Sequence, residues 1–219
     1  MQNELNKVRF SVKPLKSNDN KVVELARTVG IHPLAYQELP YDPEYSFYAG
    51  RLNPEVLSHA TADEMYWKVR QEVIFRHTGE HPYEISGPDA EKLLQKIFTR
   101  DISKVKVGRC SYQFACYNDG GMLTDGVLLK LEENKFWFVQ ADGDLFSWYK
   151  AHTDNLNVKI SDPDVWVSQI QGPKSMDLLK VLSKETFPEN WKYFDLNEIT
   201  ILNETVIISR SVISNELVW

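Results

Sequence analysis

Cysteine is scarce in this sequence, which excludes a fold held together by disulfide bonds. The 219 residues contain only Cys110 and Cys116. On one extended strand these two residues would lie about 20 Å apart at ~3.3 Å per residue, too far for a bond between their sulfurs. The core must therefore come from apolar residues, which make up 42% of the chain and suffice for one large domain or two ordinary ones.

Long apolar runs and an excess of positive charge are also missing. No segment approaches the roughly 20 apolar residues of a membrane span, and the first residues lack the apolar stretch of a signal peptide. The net charge of −6 argues against nucleic acid as the main partner. These absences predict a cytoplasmic protein that binds a small molecule or another protein, with no nucleic-acid or membrane partner.

Several enzyme signatures are absent as well. His77 and His81 have the spacing of two metal ligands on a helix, but Thr-Gly between them and Pro82 after them oppose a helix, and no third ligand accompanies them. No metal site is expected. The sequence also lacks a phosphate-binding glycine loop, a nucleophile elbow and a dinucleotide-binding fingerprint, so those enzyme classes are poor candidates.

The clearest positive signal is a predicted antiparallel meander. Three segments rich in Val, Leu, Phe and Tyr are separated by Asn-Asp-Gly-Gly and Glu-Glu-Asn-Lys, which are turn compositions. The predicted strands are Tyr112–Tyr117, Gly126–Leu131 and Phe136–Ala141. In the first turn, Asp119 and Gly120 tolerate positive φ, and Gly121 permits a close approach of the backbone to its neighbour.

Asp125 stands just after that turn, at a position where a half-buried strand favours an apolar or β-branched residue. Two interpretations are open at this point. The carboxylate could cap the turn amides through its side chain, as aspartates often do. It could also be a functional group that binds a cation or accepts a proton.

The first 60 residues predict a short helix at Lys21–Val29 and then an extended segment that wraps the domain, because four prolines interrupt a run of aromatic residues. A substrate-facing role for one of its tyrosines is an alternative to simple packing.

Thr61 and Glu64 have the spacing of a capping box and predict a helix. Met65, Val69 and Val73 fall on one face of that helix, which is expected to face the core.

An internal repeat follows. The segments Ile85–Leu94 and Ile170–Leu179 align without a gap and share Ile, Gly-Pro and Leu-Leu. Each predicts a strand, a Gly-Pro turn and a helix, with Pro88 and Pro173 in the first helical turn. Two such units indicate two α+β modules of related design. The first comprises strand 83–86, helix 89–98, the meander, helix 143–153 and strand 157–160; the second comprises strand 165–171, helix 174–182 and strands near 199–202 and 205–209.

Several of these segments together resemble one known family. The run GPDAEKLLQ, Gly108 and Tyr112, then NDGGMLTDG and IQGPKS, is similar to the folate-binding portion of the glycine-cleavage T-protein (aminomethyltransferase) family, which includes tetrahydrofolate-dependent demethylases. The resemblance covers roughly residues 65 to 219. The phrases GGMLTD and FWFVQADGDL are most similar to the demethylase branch.

The resemblance implies roles for three residues. Asp125 matches the family's acidic position beside the transferred carbon and is the expected catalytic residue, and Tyr112 matches an aromatic residue that lines the same cavity. Glu216 matches a glutamate that hydrogen-bonds the pterin, although two glycines and a tyrosine of that motif are replaced here. The family's Phe-Asp-Val-Ser-His-Met segment is also replaced, by Phe75–Glu80.

The resemblance also implies an α+β fold. Residues 83–160 are expected to form a ferredoxin-like antiparallel sheet-and-helix module, inserted in a second α+β module made of residues 1–82 and 161–219. The alternative is a single mixed sheet covered on one face. Family members continue beyond the segment matched here into a C-terminal barrel, so a truncated family member without that barrel is expected.

The implied function is transfer of a methyl or aminomethyl group from a small methylated donor to tetrahydrofolate, the expected cofactor. The alternative is a folate-binding protein without catalysis that acts through a protein partner. Expected partners are a small methyl donor or an aminomethyl carrier protein. Unpaired strand edges near the end of the sequence also predict association of copies of the chain with one another.

Overall fold

The computed structural model describes residues 30–183, 187, 191–212 and 217–218. The predicted helix at 21–29 therefore lies outside the described residues. In the described part of the chain the helices are α1 (Ala62–Gln71), α2 (Ala90–Ile97), α3 (Leu145–Ala151) and α4 (Ser175–Leu182). The strands there are β1 (Glu44–Tyr48), β2 (Arg51–Val56), β3 (Ile74–His77), β4 (His81–Ser86), β5 (Arg109–Cys116), β6 (Met122–Glu132), β7 (Lys135–Gln140), β8 (Lys159–Ser161), β9 (Ser168–Gln171), β10 (Leu196–Ile201), β11 (Glu204–Ser209), β12 (Ser211–Val212) and β13 (Leu217–Val218).

A five-stranded antiparallel sheet, in the order β5-β6-β7-β4-β8, contains the predicted meander and confirms it. Helices α2 and α3 cover one face of this sheet. Their leucines meet Phe136, Phe138 and Leu128 of the sheet in a core from which water is excluded. Alternate strand residues point to opposite faces. The apolar alternation of β7 therefore sends its two phenylalanines to the helices and leaves Trp137 and Val139 on the other face.

A second sheet has a matching arrangement. Its four strands lie in the order β12-β13-β9-β3, and their ladders are antiparallel. Strand β9 lies between β13 and β3, as β4 lies between β7 and β8. Each of these central strands leads through Gly-Pro into a helix, α4 or α2. The strand, Gly-Pro turn and helix of the internal repeat are thus present in both units. The predicted strands near 199–202 and 205–209 pair with each other in a separate sheet instead of joining β9.

The backbone at both Gly-Pro junctions requires glycine. Gly87 and Gly172 have φ of 121° and 126°, a conformation that side chains disfavour. A Cβ at Gly87 would lie 2.7 Å from the carbonyl oxygen of Asn157, and one at Gly172 would lie 2.4 Å from that of Glu72. The prediction that the prolines lie in the first helical turn is wrong by two residues: Pro88 and Pro173 precede the helix caps, Asp89 and Lys174. They occupy the second position of a tight turn, which the fixed φ of proline favours.

The β10–β11 hairpin lies between the two sheets. Leu196 and Ile207 pack against the meander face that carries Leu129 and Trp137. Ile199 and Ile208 instead pack with Ile170 and Leu179 in the core of the second unit. Neighbouring residues of a strand point in opposite directions, so one hairpin can contribute to both cores.

Residues 44–56 form a hairpin of β1 and β2, and the prediction of an extended wrapping segment is wrong here. Its two-residue turn uses Ala49 and Gly50, both at positive φ, which matches the twist of paired strands. Pro54 is accommodated because the ladder shifts register near Tyr45, and among the described residues this sheet has two strands, so no third strand there needs an amide at position 54.

Helix α1 begins at the predicted capping box, and both of its hydrogen bonds are present. Met65 and Val69 are half-buried and Val73 packs in the core of the second unit, as the spacing predicts. The rest of the helix is exposed, including Tyr66 and Trp67. Within the described residues, no helix is long and apolar enough to cross a membrane.

Candidate functional site

Tyr112 on β5 and Asp125 on β6 point to the sheet face opposite α2 and α3. Cys110 and Leu129 belong to the core on that face. Tyr112 is two residues from Cys110 and Asp125 is four from Leu129, so both side chains share their direction. The β10–β11 hairpin covers the Cys110 end of this face, and the candidate site lies farther along the strands.

The Tyr112 hydroxyl donates a hydrogen bond to Oδ2 of Asp125. This bond and partial burial raise the pKa of Tyr112 to about 12, so the phenol stays protonated near neutral pH and remains the donor. The carboxylate is half-buried, and its Oδ1 has no hydrogen-bond partner among the described residues. One oxygen is therefore held in place while the other is available to a ligand.

The turn before β6 is capped by Asp119, and Asp125 has no part in it. The amide of Gly121 donates to Oδ1 of Asp119 at 2.9 Å, and Gly120 adopts the positive φ that the sequence predicts. The close approach expected at Gly121 occurs instead at Gly126. A Cβ on Gly126 would lie 2.3 Å from the carbonyl oxygen of Val139 on β7. Glycine beside Asp125 thus lets β6 and β7 pack tightly at the site.

Tyr48, at the end of β1, brings a second phenol to the site. Burial raises its pKa to about 12, and the negative charges of Glu80, Asp142 and Asp125 contribute to this increase. These carboxylates therefore lie close enough to Tyr48 to act on its hydroxyl. The Tyr48 side chain packs directly on Gly79, where an added Cβ would lie 2.8 Å from the ring and 2.9 Å from the Tyr48 Cβ.

Glu80 is held next to Tyr48 by Arg51. The Arg51 guanidinium is buried, lies 4.1 Å from the Trp166 ring centre, and donates to the carbonyl oxygens of Glu80 at 2.9 Å and Val165 at 2.8 Å. Its side chain thereby joins β2 to the segment before β4. Oε2 of Glu80 is buried without a hydrogen-bond partner in the described part of the chain. A buried unsatisfied acceptor is costly unless a ligand supplies a donor.

Asp142 closes the other side of the site. Its Oδ1 accepts from the amides of Ala49 at 3.1 Å and Gly143 at 2.8 Å, which links the β1–β2 turn to the end of β7. Thr124 donates to the Asp142 carbonyl oxygen at 2.6 Å. The carboxylates of Glu80, Asp142 and Asp125 thus act on one phenol, Tyr48, and Asp125 also accepts from a second, Tyr112. Such groups bind cations and N–H donors and accept protons.

The structure brings together two of the three predicted site residues, Tyr112 and Asp125. Glu216 lies outside the described residues. Sequence reasoning missed Tyr48, Glu80 and Asp142 as site residues. One signal in the sequence could have pointed to them. Gly79 and Glu80 stand where the family's pattern has other residues, and a glycine at position 79 leaves room for a large neighbouring side chain.

His77 and His81 do not converge. His77 Nε2 lies 3.1 Å from Glu38, whereas His81 Nε2 lies 2.8 Å from Asp162. Among residues 30–183 and the other described segments, no cluster of three or more His, Cys, Asp or Glu could hold a metal ion.

Comparisons with known proteins found a matching family model and related sequences. The family model described as the GCVT N-terminal domain matches residues 32–219. A dimethylsulfoniopropionate demethylase from Ruegeria pomeroyi is 30% identical over 169 residues, 76% of this chain and 46% of that protein. An aminomethyltransferase from Bacillus subtilis is 30% identical over 145 residues, 64% of this chain and 39% of that protein.

Among solved structures, the glycine cleavage system aminomethyltransferase T from Bartonella henselae superposes with a TM-score of 0.72 at 18% identity. The match covers 87% of this chain and 52% of that chain. This similarity concerns the fold. The chain spans less than half the length of the two relatives named above and about half of the solved chain.

Proposed function

This chain belongs to the family of the GCVT N-terminal domain, and on that premise we propose that it takes part in tetrahydrofolate-dependent transfer of a one-carbon group. The group is a methyl or aminomethyl group carried by a small donor. The sheet face around Asp125 is the proposed site. The mixed helix and sheet fold, shared with an aminomethyltransferase, agrees with this assignment.

The observation that carries the proposal is the Tyr112–Asp125 hydrogen bond. A carboxylate used only for the turn would bond to turn amides, and Asp119 does so instead. Asp125 is oriented by a neighbouring strand and keeps one oxygen open toward the site. A fixed carboxylate there can hold a positive centre and accept a proton as the one-carbon group leaves its donor.

The charges around the site favour a cationic donor. The charges of Glu80, Asp142 and Asp125 act on the Tyr48 hydroxyl, and among the described residues no cation contributes to the pKa of that phenol. A sulfonium or ammonium group would be attracted to this face, whereas an anionic donor would be repelled. A methyl group bound to positive sulfur or nitrogen is also activated for transfer, because the donor leaves as a neutral molecule.

The residues present fit a reduced pterin. The buried Oε2 of Glu80 has no donor among the described residues, and the pterin edge carries N–H groups that could supply one. The Tyr112 ring offers an aromatic surface at the same face. Tetrahydrofolate, when bound, supplies the nitrogen that receives the one-carbon group. The resemblance assigns a further pterin contact to Glu216, which stays a prediction.

We also propose that residues 83–160 form a ferredoxin-like module inserted in a second module made of residues 1–82 and 161–219. The neighbouring strands β8, β4, β7 and β6 support this, because they follow the antiparallel order of that fold with β5 added at the edge. The matching order of the second sheet supports a duplicated design. A C-terminal barrel, expected from the family, would follow in a longer chain.

A transfer assay tests the function. The protein is incubated anaerobically with tetrahydrofolate and dimethylsulfoniopropionate, or with an aminomethylated carrier protein, and the folate products are measured by mass spectrometry. Calorimetry measures folate binding in parallel. Transfer supports the enzymatic proposal. Binding without transfer from either donor favours the alternative, a folate-binding protein that acts through a partner. Absence of both contradicts the proposed function.

A further inference from the structure

His81 is the first residue of β4 and follows Glu80 of the candidate site, and each nitrogen of its ring faces an oxygen atom. Nε2 lies 2.8 Å from Oδ2 of Asp162, and Nδ1 lies 3.3 Å from the carbonyl oxygen of Ala49. The side chain is 16% exposed, so most of the ring contacts protein. The ring therefore joins the segment after β8 to the turn between β1 and β2.

These two contacts specify the charge of the ring. A carboxylate oxygen and a carbonyl oxygen can only accept hydrogen bonds. Both nitrogens of His81 must therefore carry a proton for both bonds to form, and only the imidazolium ion has two N–H groups. The neutral ring keeps one N–H group, which the nearby carboxylate of Asp162 holds more strongly. Loss of the proton therefore weakens the contact with Ala49.

The groups around the ring are of types that keep one charge near neutral pH. They are Tyr83 of the same strand, Arg51 of β2, Asp144 before α3, and Asp162 and Asp164 after β8. Carboxylates and guanidinium groups are ionised near neutral pH. Burial raises the pKa of Tyr83, which stacks on the ring with the ring centres 4.7 Å apart, so this phenol stays neutral. Among these side chains, only imidazole is of a type that exchanges its proton between about pH 5 and 8.

Ala49 is held from two sides. Its amide donates to Oδ1 of Asp142 at 3.1 Å, and its carbonyl oxygen accepts from His81. Its φ of 50° lies in the left-handed region that alanine disfavours, so these contacts help to maintain the shape of the turn. Tyr48 precedes Ala49 in sequence, and Glu80 precedes His81. The ring is therefore linked to two residues of the candidate site through one peptide bond each.

We propose that His81, as an imidazolium ion, is a positioning residue that holds the β1–β2 turn and thereby keeps Tyr48 and Glu80 at the site. This inference rests on the proposed function. Asp125 and Tyr112 are placed by the β5–β6 ladder and do not depend on this turn. Loss of the imidazolium should therefore weaken the binding of folate and raise KM for the donor, and it should leave kcat near its original value.

Anaerobic calorimetric titrations with tetrahydrofolate at a series of pH values, with NMR of the His81 ring nitrogens, test the coupling. The affinity of the parent should fall by about tenfold over the pH range in which NMR shows that the ring loses its proton, the size expected for one hydrogen bond from a charged group. His81→Gln cannot carry the charge. It should bind about tenfold more weakly than the protonated parent, with no dependence on pH over the same range.

Two further variants separate the charge of the ring from its shape. His81→Arg keeps a positive charge and several N–H donors throughout, so its affinity should not fall as pH rises. Asp162→Asn changes a half-exposed side chain, and its amide oxygen can still accept from Nε2 without the attraction of a charge. Its affinity should lie between those of the parent and His81→Gln.

His152→Gln is the matched control. The His152 ring also faces a carbonyl oxygen, that of Trp148 on α3 at 2.8 Å, but it does not contact the β1–β2 turn. This variant should keep the parental pH profile. A pH dependence of folate binding that persists in His81→Gln would overturn the proposal.

Hydrogen exchange of the Ala49 amide, measured by NMR without ligand at one pH, tests the hold on the turn separately. Exchange should be about tenfold faster in His81→Gln than in the parent. Unchanged exchange would overturn the proposal. Faster exchange with unchanged folate affinity would also overturn it, because His81 would then support the fold and not the site. Failure of the parent to bind folate would contradict the proposed function, while faster exchange in the variant would still support the hold on the turn.

Discussion

Tyr112 and Asp125 lie on neighbouring strands and are offset by two positions in the ladder, since Tyr112 pairs with Val127 and Asp125 with Phe114. This diagonal offset brings the phenol hydroxyl to the carboxylate, and the bond between them orients Asp125. The register of one hairpin thus determines the geometry of the proposed site. A shift of one residue would send the two side chains to opposite faces.

Replacement of Asp125 by asparagine separates charge from shape. The amide oxygen of the asparagine could still accept the Tyr112 hydrogen bond, but the neutral side chain cannot hold a positive centre or accept a proton. The rate of one-carbon transfer should fall by about 10²–10⁴-fold, the size expected for a positioned acid–base or electrostatic group. Folate affinity and melting temperature should change little.

Asp119→Ala is the control for that variant. It removes the turn cap and should lower the free energy of unfolding by about 0.5–1.5 kcal/mol, the net worth of one hydrogen bond, without an effect on rate. If Asp125→Asn transfers at the parental rate, Asp125 is not the catalytic residue.

Two substitutions of Tyr112 distinguish its ring from its hydroxyl. Tyr112→Ala should weaken folate binding by about 1–3 kcal/mol, because it removes the aromatic surface. Tyr112→Phe keeps the ring and loses only the donor to Asp125, so its folate affinity should stay near that of the parent while its transfer rate falls. Calorimetry and initial rates provide the two measurements. Equal loss of affinity in both variants would contradict a role for the ring.

Gly79→Ala tests whether Tyr48 belongs to the site. The new Cβ would lie 2.8 Å from the Tyr48 ring and 2.9 Å from its Cβ, so the tyrosine must move. Overpacking of this kind costs about 1–3 kcal/mol of folding free energy. Donor or folate binding should weaken beyond what the stability loss explains. Gly121→Ala, on the exposed turn, should leave ligand binding unchanged.

The stability of the protein should fall in acid partly because of His32. Burial, then the neighbouring His77 and Arg51, lower the pKa of His32 to about 3. The unfolded chain takes up this proton near pH 6.5, so below that pH it binds more protons than the folded chain. Stability therefore decreases as pH falls from about 6.5 toward 3.

His32→Asn removes this titration and keeps an acceptor for the Leu34 amide, which donates to His32 Nδ1 at 3.1 Å. Between pH 7 and 4.5 the parent should lose on the order of 1–3 kcal/mol more unfolding free energy than the variant. Urea unfolding at a series of pH values measures this difference. Parallel curves for the two proteins would contradict the assignment.

The elements that local chemistry specifies could be predicted from the sequence. The turn residues between three apolar segments predicted the meander. The spacing of Thr61 and Glu64 predicted where α1 begins. The repeat was recognisable because both units need a glycine at the same place, in a backbone conformation that other residues disfavour. Each of these signals is contained in a short local stretch of sequence.

The composition of the site could not be predicted in the same way. Tyr48 and Asp142 are far apart in sequence and meet only because the β1–β2 hairpin folds against the end of β7. The hairpin itself was missed because its turn uses Ala49 at positive φ, where asparagine or aspartate is the usual signal. The role of Gly126 depends on the position of β7, which no local pattern reveals.

The β10–β11 hairpin makes the folding of the two units interdependent. Ile207 and Ile208 are adjacent in sequence, yet they belong to different cores. Loss of either core would expose one face of the hairpin and remove the support that holds its other face in place. We therefore expect that melting of one unit would disturb the packing of the other, so that the two unfold together in a single transition.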